Sequence, residues 1–180
     1  MKTENVVQYV LRLTVTLLVI TGVVAAALAG VNAITKNAIA ANQEKKTQDA
    51  LAVVLPNVHG LQRLPLTGDA GIVQEVYAAE GNYAVKVAPA GFDGAVTMMV
   101  GIAEGKVTGI SVISHTETPG LGAVAAAQNA KGEAFRGQFV GQSGELAVGD
   151  QIDAMSGATI TSKAVVTGVN AAMSYVANLG

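Results

Sequence analysis

The chain has 180 residues, of which 51% are hydrophobic, and its formal net charge at pH 7 is −2. This charge leaves no basic face to neutralise phosphates, so nucleic acid is excluded as a partner. The absence of cysteine excludes disulfides, a thiol nucleophile, a lipoprotein-type acyl anchor and cysteine-ligated iron–sulfur clusters. With only two histidines, no metal site is predicted, and any redox chemistry requires an organic cofactor.

The first predicted element is a transmembrane helix over residues 13–35, which follows an N-terminal tail of residues 1–12. Arg12 and Lys36 bracket this uncharged run. As a helix it would span roughly 34 Å, enough for a bilayer core of about 30 Å. A cleaved signal peptide is one alternative, because Ala27-Leu28-Ala29 resembles a cleavage site, and a buried core helix is another. We favour the spanning helix because the apolar run continues past that site.

The transmembrane helix is not expected to carry ions by itself. It contains no ionisable residue, whereas ion pathways through membranes normally use such groups. The basic residues on its two sides do not decide which end faces the cytoplasm, because both sides carry them: Lys2, Arg12, Lys36, Lys45 and Lys46.

The helical pattern continues beyond the membrane as a stalk helix over residues 36–56, where Pro56 ends it. Residues 57–180 have a length that suits one domain. Four β-branched and aromatic runs, at 72–79, 83–88, 95–102 and 106–114, are separated by glycine-containing turns. They predict an antiparallel β meander.

Helices are predicted to complete the domain. Residues 120–130 favour a short alanine-rich helix, and residues 134–140 are compatible with either a helix or a strand. Residues 161–179 show apolar side chains at helical spacing and predict a helix packed on the sheet. The fold class is therefore α+β, with a single N-terminal transmembrane helix followed by a meander packed with helices.

A hydroxyl-rich loop precedes the last helix and reads DAMSGATITSK over residues 153–163. Free backbone N–H groups and the positive end of the helix dipole favour a phosphate at such a place. Gly157 would let the backbone approach the ligand, and Lys163 would offset phosphate charge if its side chain turned inward. The alternative is an ordinary helix cap, since Ser and Thr commonly precede helices.

A second segment, SHTETPGLG over residues 114–122, leaves the last strand of the meander and enters a helix. Pro119 fixes its bend, and Gly120 and Gly122 leave backbone groups accessible. Such a loop can line a flat aromatic ligand with main-chain donors. The alternative is a tight strand-to-helix connection.

The two segments together closely resemble one family over nearly the whole chain. An apolar N-terminal helix, a β meander, H-x-E-T-P-G-L-G and D-x-x-S-G-A-T follow one another in this order. This arrangement is similar to the FMN-binding G subunit of the Rnf ion-translocating oxidoreductase complex. A close relative of that protein is the C subunit of the sodium-translocating NADH:quinone reductase.

The resemblance implies an FMN that is covalently esterified through its phosphate to the last threonine of the motif, Thr159. We further assign Ser156, Gly157 and Ala158 to the phosphate loop as a hypothesis. The candidates for the ring pocket are Glu117, Thr118, Gly120, Leu121 and Gly122. His115 is interpreted as a polar residue at a strand end rather than a flavin or proton-transfer group. No catalytic residue is assigned, because the flavin itself would carry the electrons.

The resemblance also implies partners and a location. The partners are the other Rnf subunits (A, B, C, D and E), membrane lipid, and a flavin transferase that uses FAD and Mg²⁺ during maturation. The FMN-binding domain, residues 57–180, would lie on the extracytoplasmic side of a bacterial or archaeal cell membrane. The C subunit of the quinone reductase is one alternative, although the chain length favours Rnf. The other is a membrane-tethered scaffold or ligand-binding domain without redox function.

Overall fold

The computed structural model describes residues 3–179, so Met1 and Lys2 of the predicted tail lie outside the described residues. The contacts of the chain divide it into two units, Met1–Lys45 and Lys46–Gly180.

One long helix, α1, runs from Thr3 to Val54. It includes residues of the predicted tail, transmembrane helix and stalk without a break, and it ends at Val54, two residues before Pro56. Within residues 3–179 it is the one helix that is long and apolar enough to cross a membrane. No residue of its most apolar 18-residue stretch is buried. Threonine hydroxyls in this helix bond to backbone carbonyls one turn earlier, as Thr14 Oγ1 does to Val10 O at 2.9 Å. Such internal bonds let polar side chains fit an apolar helix.

The second unit is built on a five-stranded antiparallel sheet whose strands follow chain order. The strands are β1 Gln62–Leu64, β2 Val73–Ala79, β3 Asn82–Val87, β4 Thr97–Ala103 and β5 Lys106–Ser114. The predicted meander is confirmed, with strand ends shifted by at most two residues. The additional edge strand, β1, has only three residues and is too short to show the alternation that marks a strand in sequence.

Both faces of the sheet are covered, because successive side chains of a strand point to opposite faces. Val76, Val85 and Val100 belong to a core cluster that also contains the apolar side of the C-terminal helix. Their immediate neighbours on the other face pack against the end of α1 in a second cluster of Ala50, Leu51, Val54, Leu55, Tyr77, Ala84 and Met99. The sheet is therefore the middle layer of three.

The remaining helices differ in detail from the prediction. The expected helix over residues 120–130 is instead a 3₁₀ helix, Gly122–Ala126, followed by α2, Ala130–Gly137. The two are separate because Asn129 starts a new helix by accepting a hydrogen bond from Gly132 N at 3.0 Å. The ambiguous run at 134–140 is helical as far as Gly137. The last helix, α3, is Thr159–Ala177, so it begins two residues earlier than predicted.

Candidate functional site

The two motif segments meet at one end of the sheet. In an antiparallel meander, the β3–β4 connection and the C-terminal end of β5 lie at the same end of the sheet. The start of α3 lies next to them. Together they form a cleft of about 350 Å³, within the usual range for small-molecule sites. Its lining residues are Phe92, Glu117, Thr118, Leu121, Gly122, Gly157, Ala158, Thr159, Ile160 and Thr161.

The start of α3 presents uncapped backbone donors to this cleft. Ala158 occupies the cap position and makes no side-chain hydrogen bond to the first turn. The first N–H groups of a helix have no partner inside the helix, and they form its positive end. Gly157 precedes them with φ +73°, and a Cβ there would lie 3.1 Å from Leu121 Cδ2. The backbone can therefore approach an anion closely at this position.

The hydroxyl groups around the start of α3 differ in their burial and in their hydrogen bonds. Ser162 is buried; its Oγ accepts a bond from Met155 N at 2.9 Å and donates to Ala158 O at 3.0 Å. Thr161 is also buried, and its hydroxyl donates to Glu117 Oε2. Ser156 and Thr159 are exposed and make no side-chain hydrogen bond within residues 3–179, and of these two only Thr159 lines the cleft.

Glu117 is a buried carboxylate that joins the parts of the cleft. Its Oε1 accepts hydrogen bonds from Phe92 N at 2.8 Å and Asp93 N at 3.2 Å, and its Oε2 accepts from Thr161. Burial raises the pKa of this carboxyl, but the bonds from Thr161, Asp93 and Phe92, with the charge of nearby His115, outweigh burial. The net pKa of Glu117 therefore lies below its ordinary value, and the side chain is ionised at neutral pH.

Three large apolar side chains form the rim of the cleft. Phe92, Leu121 and Ile160 have exposed fractions of 68%, 43% and 54%. Exposed apolar groups gathered around a concave site are typical of surfaces that cover a ligand. Phe92 and Ile160 are not among the residues predicted from sequence. An aromatic side chain between glycines, in the turn GFDG, is the signal that marks Phe92.

Several residues of the two motifs lie outside the cleft. Ser156 and Gly120 are exposed and do not line it. The backbone of Asp153 is held by Gln138, whose amide accepts from Asp153 N at 2.7 Å and donates to Asp153 O at 3.4 Å. Lys163 is exposed and does not turn inward, so the described lining residues include no basic side chain. His115 has a buried Nδ1 without a hydrogen-bond partner in the described part of the chain.

The chemistry of the cleft fits FMN. A helix start with free N–H donors suits the phosphate, and an apolar rim suits the flat ring. A larger groove of about 620 Å³ runs beside Gly105, Glu145 and Met173, but it contains none of the predicted site residues. The smaller cleft is therefore the candidate site, and the fold and site together define a flavin-binding domain that follows a long apolar helix.

Comparison with known proteins agrees with this class. Residues 91–174 match the model of the FMN-binding domain family, and this match includes both motif segments. The chain is 34% identical to the G subunit of the Na⁺-translocating ferredoxin:NAD⁺ oxidoreductase complex of Acetobacterium woodii, over 99% of both chains. It is 33% identical to the G subunit of the ion-translocating oxidoreductase complex of Methanosarcina acetivorans, over 92% of this chain and 93% of that one.

A third relative is the G subunit of the proton-translocating ferredoxin:NAD⁺ oxidoreductase complex of Clostridium ljungdahlii. It is 43% identical over 56% of this chain and 58% of its own length. The chain belongs to the family of G subunits of ion-translocating oxidoreductase complexes, as its motifs predicted. It is thus part of an oxidoreductase complex, and its apolar helix together with these relatives indicates a membrane-anchored protein.

Proposed function

We propose that the chain is the electron-transfer subunit of a membrane-bound, ion-translocating ferredoxin:NAD⁺ oxidoreductase (Rnf) complex. It carries electrons on an FMN whose phosphate is esterified to Thr159. The family and its FMN-binding domain support the cofactor, and the activities in the names of the relatives support the complex. The covalent bond is supported by the geometry around Thr159.

Among the described hydroxyl groups next to the start of α3, that of Thr159 alone is both exposed and part of the cleft lining. Of the hydroxyl residues next to the start of α3, Thr161 and Ser162 are buried and already bonded. Ser156 is exposed but lies outside the cleft lining. Thr159 is exposed, lines the cleft and belongs to the first turn of the helix. It is therefore the hydroxyl that a transferase can reach and that leaves the phosphate beside free N–H donors.

The charge of the cleft explains why a covalent bond is useful. The lining residues include one carboxylate, Glu117, and none of those described is basic. A phosphate held only by charge would meet no cationic side chain and would be repelled by Glu117. An ester to Thr159 retains the cofactor without a cation, and a phosphodiester carries less negative charge than free FMN.

The proposed attachment transfers FMN from FAD to the hydroxyl of Thr159. The Thr159 oxygen forms a bond to the phosphorus on the flavin side of FAD, the pyrophosphate bond breaks, and AMP leaves with that electron pair. The threonine proton passes to a base of the transferase, whose Mg²⁺ neutralises the phosphates. The exposure of Thr159 suits such a reaction between proteins.

Once attached, FMN supplies the electron chemistry, and the chain supplies its position and surroundings. Thr159 would anchor the phosphate, the first turn of α3 would donate hydrogen bonds to it, and Phe92, Leu121 and Ile160 would shield the ring from water. We place this domain on the extracytoplasmic side, where a cofactor that dissociates is not readily replaced. The anchor helix contacts lipid and other subunits of the complex.

In-gel flavin fluorescence after denaturation tests the bond. Wild-type protein coexpressed with the transferase should fluoresce under ultraviolet light, and Thr159→Ala should not, because it lacks the acceptor oxygen. Thr118→Ala is the matched control, since Thr118 lines the same cleft, and it should keep its fluorescence. Ser156→Ala should keep most of it. Fluorescence retained in Thr159→Ala would remove Thr159 from its role.

A further inference from the structure

We infer that Glu117 is a positioning residue that fixes the separation between the two walls of the cleft. The inference rests on the proposed function only in naming flavin as the occupant. One wall is the β3–β4 connection, which carries Phe92, and the other is the first turn of α3, which carries Thr159. Glu117 bonds to both walls from the segment between them.

Both oxygens of the carboxylate are already engaged within the protein. Oε1 receives the Phe92 and Asp93 N–H groups, and Oε2 receives the Thr161 hydroxyl. The side chain is only 5% exposed. Glu117 therefore acts on a ligand through the groups that it holds: Phe92 on the rim, and the helix turn that contains Thr159.

Two glycines make room for this carboxylate. A Cβ at Gly91 would collide with Glu117 Oε1 and lie 2.9 Å from both Gly94 O and Val96 Cγ2. A Cβ at Gly122 would collide with Glu117 Oε2 and lie 2.6 Å from Thr161 Oγ1. Neither glycine has a positive φ, so backbone freedom does not require glycine at either place. The lack of space for a Cβ requires it: the carboxylate blocks both positions, and Gly94 O and Val96 Cγ2 also crowd Gly91.

The sign of the charge supports a geometric role. Among the described residues that line the cleft, Glu117 is the one with a charged side chain. Its charge is negative, like that of a phosphate. It therefore opposes anion binding electrostatically. Its contribution is instead to hold two segments that are distant in sequence at a fixed separation. It can do so because hydrogen bonds to a carboxylate are stronger than hydrogen bonds between neutral groups.

Selective labelling tests this inference on the full-length protein in detergent. The chain has three phenylalanines, Phe92, Phe135 and Phe139, so ¹⁵N-phenylalanine gives one amide signal at the cleft and two internal references. Glu117→Gln keeps the shape but replaces the charged acceptor. Amide exchange at Phe92 should become about tenfold faster, as expected for the loss of a charge-assisted bond. The two reference amides should not change.

Flavin fluorescence anisotropy of the loaded protein gives the second measurement. It should fall in Glu117→Gln and in Thr161→Val, because the ring loses a fixed wall, while Glu145→Gln, an exposed site away from the cleft, should match wild type. Thr161→Val keeps the carboxylate and decides the case if Glu117→Gln misfolds. Unchanged Phe92 exchange in Glu117→Gln, or unchanged anisotropy in both variants, would overturn the inference. Wild-type protein that carries no flavin would instead contradict the proposed function.

Discussion

At the scale of single residues, the folded site gives different surroundings to hydroxyl residues that are equivalent in sequence. The motif offers four hydroxyls within seven residues, and a sequence alone gives each of them the same capacity to contact phosphate. Folding bonds Ser162 to the backbone of its own loop and Thr161 to Glu117. The family resemblance singles out Thr159, whereas the exposure of Thr159 and its place in the cleft are properties of the folded chain.

The lowered pKa of Glu117 predicts an effect on stability. A carboxyl whose pKa is lower in the folded state stabilises the fold above its unfolded pKa and loses that contribution as the pH falls through its folded pKa. The free energy of unfolding of wild type should therefore exceed that of Glu117→Gln by a constant amount from neutral pH down to about 4.5, and the difference should shrink at lower pH.

Chemical denaturation of both proteins over that pH range measures the difference. Glu75 also has a lowered pKa: burial raises it, but the hydrogen bonds from Tyr77 and Lys86 and the charges of Lys86 and Arg63 together lower it by more. Because both proteins retain Glu75, its contribution cancels in the comparison. A difference that grows towards acid pH would contradict the assignment.

At the scale of elements, the sequence predicts the strands and helices that have a clear hydrophobic period, but it does not predict the shortest ones. Strands β2 to β5 follow from β-branched runs between turns, and α3 follows from its apolar spacing. Strand β1 has three residues, and the 3₁₀ helix has five, so each completes fewer than two periods of its own structure and gives no recognisable repeat. The contact from Glu117 to the Phe92 loop joins residues 25 apart in sequence, and no local pattern encodes it.

The packing of α1 on the sheet gives a prediction at this scale. Gly101 and Gly109 face each other on β4 and β5 beneath the end of α1. A Cβ at Gly101 would collide with Thr108 Oγ1 and lie 2.7 Å from Val54 O, where Thr108 also donates to that carbonyl. Gly101→Ala should therefore lower the free energy of unfolding by about 1–3 kcal/mol.

Gly109→Ala is the matched control. A Cβ there would lie 3.7 Å from Val54 Cα, an ordinary contact distance. It should leave the free energy of unfolding close to that of wild type when both variants are unfolded by denaturant under the same conditions. Equal losses in the two variants would show that the close approach at Gly101 is not what limits packing.

At the scale of the whole molecule, the protein combines an apolar helix with a separate flavin-binding unit. The helix has no ionisable residue between Arg12 and Lys36, so we assign ion movement to other subunits. The names of the relatives differ in the ion, Na⁺ or H⁺, while all of them are G subunits. We therefore propose that electron carriage by the flavin and ion movement are functions of different parts of the complex.

Purification from native membranes tests whether the chain is anchored by its helix and which complex it belongs to. The chain should resist extraction by alkaline carbonate, because its anchor is a helix rather than a charged surface contact. In mild detergent it should copurify with an iron–sulfur-rich protein and with ferredoxin-dependent NAD⁺ reduction. Quinone reduction without ferredoxin in the purified complex would instead indicate the quinone-reductase relative.

Peptide mass mapping of the protein purified from its own cells tests the central claim most directly. The peptide containing Thr159 should carry the mass of an FMN phosphoester, and fragmentation should place the added mass on Thr159 rather than on Ser156. An unmodified Thr159 in fully matured native protein would contradict the proposed attachment and the electron-carrying role that depends on it.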